Sequence, residues 1–154
     1  MANEQKEAPK GIQFVIQRIF IKDVSLESPL TPDLFKESNW QPQIDVRLNT
    51  ENQKVADNIF DVTLDVEVSA KKDDKTAFLV ELKHSGIFTI ANCKEEELQK
   101  LLGSYCPSII YPYAREVISE LVNKAGFPPL YMAPVNFDAL FEAKQKQQQG
   151  KKAS

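Results

Sequence analysis

Residues 61–90 read DVTLDVEVSAKKDDKTAFLVELKHSGIFTI and determine the predicted fold. Most apolar side chains occupy even positions and most polar side chains odd positions on both sides of the segment AKKDDKT, with Leu79 and Ile87 as apolar exceptions and His84 as a polar one. A period of two is typical of a strand with one buried face. The short polar segment between the two runs predicts a turn, so the pair should form an antiparallel hairpin.

Two further runs upstream have the same period. Residues 44–49 alternate cleanly, whereas residues 12–27 do so with interruptions. Arg18 and Lys22 break the even apolar stripe, and Val15, Ile19 and Ile21 break the odd polar one, so we expect this strand to be bulged or covered on both faces. One charged face on the other strands favours an antiparallel sheet over a parallel one, whose strands are apolar on both sides.

After Ala91 the apolar period changes to that of helices. Asn92 with Glu95 predicts the start of a short helix that Gly103 would end. Pro107 suits the first turn of a longer helix reaching Ala125, with Gly126 after it. Asn136 can cap a last helix. The predicted fold class is α+β: a four-stranded antiparallel sheet with helices packed on its even face.

Two connecting segments are unusually apolar for loops. Residues 28–43 contain Leu34, Phe35 and Trp40, and residues 126–136 contain Phe127, Leu130, Tyr131 and Met132 among three prolines. One interpretation is that both loops close the ends of the core, since a chain of this length needs most of its aromatic side chains inside. The other is that they form the walls of an apolar groove.

Composition limits the number of domains and the classes of partner. The 154 residues suffice for one domain, and a net charge of −3 gives no support to a nucleic-acid binder. We expect residues 1–11 to be disordered, residues 12–142 to form the domain, and residues 143–154 to be a flexible basic tail. That tail carries four lysines and no acid, so residues 1–142 hold 15 basic and 22 acidic groups, a net charge of −7.

Residues suited to catalysis are scarce. There is one histidine, His84, and the two cysteines, Cys93 and Cys106, form no CxxC motif, so the chain has too few ligands for a structural zinc site. No phosphate-binding glycine motif is present, and Asp73 with Asp74 fits a solvated turn. An enzyme with His84 as base remains an alternative. The sequence shows no signal peptide and no long apolar run, so we expect a cytoplasmic location and reduced thiols.

Several motifs in order resemble one known family. They are GSYCP at 103–107, YPYARE at 111–116, GFPPL at 126–130 and APVNFDALF at 133–141, extended by IQRI at 16–19, KD at 22–23, WQP at 40–42 and GIF at 86–88. Together they resemble the SecB family of protein-export chaperones over roughly residues 12–142.

The resemblance implies a function without catalysis, cofactor or metal. Family members form a homotetramer, a dimer of dimers with eight-stranded sheets; they hold unfolded secretory precursor proteins in apolar grooves and pass them to the ATPase motor SecA. A chaperone of a toxin–antitoxin pair is the alternative within the family. The basic, acid-free tail departs from the family pattern, so a tail contact to the motor is not carried over.

The resemblance also implies two sets of site residues. The implied groove residues are Trp40, Phe78, Phe127, Leu130, Phe137 and Phe141, of which Phe78 and Phe137 are equally compatible with plain core positions. The implied contacts to SecA are Asp23, Glu27, Leu79 and Glu81, all at odd positions on the face predicted to be polar.

Overall fold

The computed structural model describes residues 11–153, with side chains through residue 150. The N-terminal segment expected to be disordered therefore lies, apart from Gly11, outside the described residues. Four strands form one antiparallel sheet in the order β1-β4-β3-β2. Their bounds are Gln13–Glu27 for β1, Gln43–Ala56 for β2, Ile59–Lys72 for β3 and Lys75–Ala91 for β4. This confirms the antiparallel sheet and the β3–β4 hairpin.

The core lies between the even face of the sheet and the helices. Even positions of β3 and β4 are buried, from Val62 to Ala70 and from Phe78 to Ile90, apart from Thr76 at the start of β4. The side chains that pack against them from the long helix follow its 3.6-residue period: Ile110, Ala114, Ile118 and Val122. Each large side chain removed from water in this layer stabilises the fold by about 1.5–3 kcal/mol.

Strand β1 contains two irregularities that explain its broken pattern. The register with β4 shifts between Ile16 and Arg18 and again between Ile21 and Asp23. Between these two bulges the odd-numbered side chains of β1 point to the face that the even-numbered side chains occupy in the rest of the strand. The reason is that one extra residue reverses the alternation of side chains. Ile19 and Ile21 therefore share the helix-covered face with Gly86 and His84, directly opposite them on β4. The predicted bulge is confirmed.

The helical part is more continuous than the sequence indicated. Helix α1 spans Glu95–Lys100 and leads through a single π-helical turn, Leu101–Tyr105, into helix α2, Cys106–Lys124. The prediction that Gly103 ends the first helix is wrong. Asn92 is not the cap either: its φ is +61°, and the carboxylate of Glu97 instead accepts a hydrogen bond from the Lys94 N–H at 3.0 Å.

The predicted ends of the later helices agree with the structure. Gly126, with a φ of +96°, follows α2, and Asn136 Oδ1 accepts a hydrogen bond from the Ala139 N–H at 3.0 Å. Helix α3, Phe137–Ala153, continues through the lysine- and glutamine-rich segment, because Lys, Gln and Ala all favour helix. Flexibility of this tail stays a prediction. No helix in the described residues is long and apolar enough to cross a bilayer.

Candidate functional site

An aromatic cluster joins the two apolar loops at one end of the sheet. The ring of Trp40 stacks on Phe127 with centroids 5.0 Å apart and lies 6.4 Å from Phe78, while Phe78 and Phe127 are 5.1 Å apart. Phe35 adds a fourth ring, 5.5 Å from Phe127. Phe78 and Phe127 are buried, but Trp40 is partly exposed and Phe35 is 50% exposed. The cluster thus has a buried base, Phe78 and Phe127, and a solvent-accessible edge, Trp40 and Phe35.

Gly126 allows the two loops to meet. Its positive φ turns the chain directly after α2, a conformation that costs glycine little. A Cβ at this position would lie 2.8 Å from Cζ of Phe35, so a larger residue would displace that ring. The backbone of one loop therefore approaches the aromatic side chain of the other, and Phe35 belongs to the cluster although the resemblance did not mark it.

Leu130 lies elsewhere, along the long helix. With Pro129, Tyr131 and Met132 it forms one side of a cleft of about 550 Å³, whose other side is polar and belongs to α2. The α2 residues are Arg115, Glu116, Ser119, Glu120 and Asn123. Tyr131 is 84% exposed. This cleft therefore combines an apolar loop wall with a charged helical wall.

The carboxylates of that helical wall interact with each other. A side-chain hydrogen bond with Glu120 raises the pKa of Glu116, and a hydrogen bond from Lys124 lowers the pKa of Glu120. The Nζ of Lys124 lies 3.2 Å from Oε1 of Glu120. Glu120 is thus held ionised, and the helical wall of the cleft carries both signs of charge, with Arg115 beside Glu116 and Glu120.

The last two implied groove residues belong to α3. Phe137 is buried against Tyr111, with ring centroids 5.5 Å apart, whereas Phe141 is half-buried and contacts Gly103. Both line a cavity of about 290 Å³ between α3 and strand β2. Within one protomer the six implied groove residues therefore lie at three places: the aromatic cluster, the cleft along α2, and the cavity between α3 and β2. Three of the six, Phe78, Phe127 and Phe137, are almost fully buried.

The four residues implied to contact SecA lie together on the opposite face of the sheet. Ser25 pairs with Glu81, and Glu27 pairs with Leu79, in the ladder between β1 and β4. Asp23 is one step further along β1, opposite Lys83. The three carboxylates are exposed and Leu79 is half-buried. On its other side Glu81 faces Glu67 of β3, a like-charged pair that destabilises a sheet.

Two of the groups considered for catalysis, His84 and Cys106, are buried. His84 is buried on the helix-covered face, and desolvation lowers its pKa, so the ring is neutral near pH 7. Burial raises the pKa of the Cys106 thiol to about 12, which keeps it protonated and unreactive. Among the described residues no group of three His, Cys, Asp or Glu side chains could hold a metal ion.

Taken together, the fold and these surfaces define a class of protein: a small α+β protein with partly exposed apolar surface suited to contacts with other polypeptides. The sequence model of the family described as preprotein translocase subunit SecB matches residues 4–148. Three relatives, each named protein-export protein SecB, are 45–49% identical to the chain and cover at least 96% of it. The chain therefore belongs to the SecB family.

Those relatives come from three bacteria. The identity is 49% for the protein of Nitrosococcus oceani, 46% for that of Hahella chejuensis and 45% for that of Methylococcus capsulatus, and the matches span 91%, 95% and 98% of those proteins.

A solved structure supports the fold independently. The SecB-like chaperone of Mycobacterium tuberculosis, in complex with a ChAD peptide from the HigA1 antitoxin, matches with a TM-score of 0.68 over 80% of this chain and 91% of its own. At 16% identity it shows the shared fold alone. Because the much closer relatives are named for protein export, the antitoxin alternative is not favoured.

Proposed function

We propose that this protein holds unfolded secretory precursor proteins in the cytoplasm on the apolar surface formed by its two loops, and delivers them to SecA. The observation that carries the proposal is the accessible edge of the aromatic cluster, where apolar surface of Trp40 and Phe35 is exposed to solvent next to the buried rings. Exposed apolar surface of this kind is typical of interaction sites. The buried rings beneath serve as the support of that surface.

The energetics suit a client that must be released. Each Leu or Phe of an unfolded chain that is buried on this surface gains about 1.5–3 kcal/mol, offset by roughly 0.5–1.5 kcal/mol for each side chain immobilised. A single contact is therefore weak. Several contacts on one chain, repeated over several copies of the protein, raise the overall affinity through effective concentration without requiring a particular sequence.

Strand β1 supports assembly into a homotetramer, a dimer of dimers. It is an edge strand, and it carries Ile16, Ile21 and Val24 on the helix-covered face, each between 38% and 47% exposed. A long apolar edge strand is an aggregation hazard unless another element covers it. A second copy pairing with β1 would cover both the edge and these side chains. Light scattering that shows a monomer at micromolar concentration would contradict this assembly.

SecA is proposed to dock on the outer face at Asp23, Glu27, Leu79 and Glu81. Their adjacency in the strand ladders supports one compact contact area, acidic with an apolar side chain at one end. The like-charged pair Glu81–Glu67 supports a role in binding, because a destabilising arrangement is expected to persist where a basic partner uses it.

A holdase assay tests the client surface. Exchanging both Trp40 and Tyr131 for Ser should weaken the suppression of aggregation of an unfolded precursor, because it removes apolar area from both loops. The exchange Val55→Ser, at an exposed apolar position near the turn between β2 and β3, is the matched control and should act like the unmodified protein. Equal suppression by all three proteins would refute the proposal.

An enzyme that uses His84 as its base would lose its activity in the variant His84→Gln, whereas a chaperone would keep its client binding. We propose that the protein catalyses no reaction, because the buried ring of His84 has no access to a substrate. His84→Gln should then leave client binding unchanged.

A further inference from the structure

Lys72, the last residue of β3, reaches across to the crossover loop, residues 28–42. Its Nζ forms an ion pair with the carboxylate of Glu37 and donates a hydrogen bond to the main-chain carbonyl of Asn39. The lysine side chain is only 15% exposed, although it comes from a hairpin turn rich in charge. Its ammonium group is thus largely enclosed between the sheet and the loop.

These contacts are the polar connection between the loop and the sheet. The other hydrogen bonds and ion pairs of the crossover loop in residues 11–150 stay within it, such as those from Thr31 to Ser28 and from Lys36 to Asp33. Lys72 alone contributes the polar side-chain contacts that join residues 28–42 to β3 or β4 in that part of the chain. Removing it would leave the loop with apolar contacts only.

The apolar contacts hold a different part of the loop. Leu34 is buried, and Phe35 covers Gly126 and Phe127, so residues before Glu37 are already anchored. Glu37 and Asn39 lie in the segment between that anchor and Trp40. Lys72 therefore fixes the main chain directly before the one tryptophan of the protein.

We propose that Lys72 is a positioning residue for client binding, which holds the crossover loop so that Trp40 stays stacked on Phe127. The inference rests on the proposed function, since the ligand is an unfolded polypeptide. A loop that is already ordered pays less conformational entropy when a client binds, so fixing it increases affinity without any contact between Lys72 and the client.

Tryptophan fluorescence tests the structural half of this inference without a client. The single tryptophan makes the emission a report on Trp40 alone. Lys72→Met keeps the aliphatic stem and removes the charge, and it should shift the emission to longer wavelength and increase quenching by acrylamide. Lys75→Met, an exposed lysine opposite Lys72 in the same hairpin, is the control and should change neither. Unchanged emission and quenching in Lys72→Met would overturn the proposal.

The affinity for a permanently unfolded protein, reduced and carboxymethylated α-lactalbumin, tests the functional half. Lys72→Met should bind it about three- to tenfold more weakly, and Lys72→Arg, which keeps both donor contacts, should restore most of the affinity. An altered emission with unaltered affinity would refute the positioning role. If the unmodified protein fails to bind this client, the proposed function fails, and the fluorescence result still decides whether Lys72 holds the loop.

Discussion

At the scale of single residues, Lys22 and Asp61 form a partly buried ion pair on the outer face. The lysine lies at the second bulge of β1 and crosses β4, so that its Nζ is 2.6 Å from Oδ2 of Asp61 and 3.0 Å from Oγ1 of Thr63. The carboxylate is buried, and within the described part of the chain its Oδ1 has no hydrogen-bond partner. Asp61 therefore depends on this lysine for its compensating charge.

The exchange Lys22→Met should lower the free energy of unfolding by about 1–3 kcal/mol, because it leaves a buried carboxylate without its cation. Urea unfolding measures the change. Replacing both partners, Lys22 by Met and Asp61 by Leu, should recover most of the loss, since no buried charge then remains. A double variant less stable than the single one would contradict this explanation.

The buried His84 should make the free energy of unfolding depend on pH. Burial lowers its pKa below the ordinary value near 6.5, so below that pH the unfolded chain binds a proton that the native protein does not. Stability should therefore fall as pH decreases from about 6.5 and should be insensitive to this residue above it. His84→Gln should flatten that slope, measured as unfolding free energy between about pH 5 and about pH 8. An identical slope in the variant would exclude His84 as its source.

At the scale of elements, the contact between Gly103 and Phe141 joins the π-helical turn to α3. A Cβ on Gly103 would overlap with Cδ1 of the Phe141 ring, so Gly103→Ala should push this ring and α3 away. We expect a loss of about 1–3 kcal/mol in unfolding free energy, as for other overpacked sites. Combining it with Phe141→Leu should cost less than the sum of the two single exchanges. Additive losses would show that the two residues do not interact.

This contact also shows where element prediction from sequence reaches its limit. The sheet was predictable from the hydrophobic period of two, the end of α2 from Gly126, and the start of α3 from Asn136, because these signals are local. The role of Gly103 could not be found in this way. A glycine near a helix end suggests that the helix stops there. Here the glycine is needed for a different reason: the ring of Phe141, 38 positions further along the chain, occupies the space that a side chain at Gly103 would fill.

At the scale of the whole molecule, the site was predictable only in part. Trp40, Phe78 and Phe127 were marked by the family resemblance, and the structure brings them into one cluster. The separation of Leu130 and Phe141 from that cluster depends on how two loops and α3 pack, which no local pattern encodes. The role of Lys72 was not predictable from sequence either, because charged residues in a turn such as AKKDDKT are usually solvated. In the structure the crossover loop covers Lys72, and Glu37 of that loop pairs with it.

The two faces of the sheet should have separate functions, one in binding SecA and the other in holding clients. Glu81→Lys should weaken the binding of purified SecA, more strongly at low than at high salt, because screening reduces the contribution of exposed charges. The exchange should not unfold the sheet: it converts the like-charged pair with Glu67 into an opposite pair, a gain of roughly 0.2–1 kcal/mol. Suppression of client aggregation should therefore be unaffected. Glu51→Lys makes the same charge change at an exposed position on β2 and is the control. If Glu81→Lys reduced SecA binding and client holding equally, the two faces could not have separate functions.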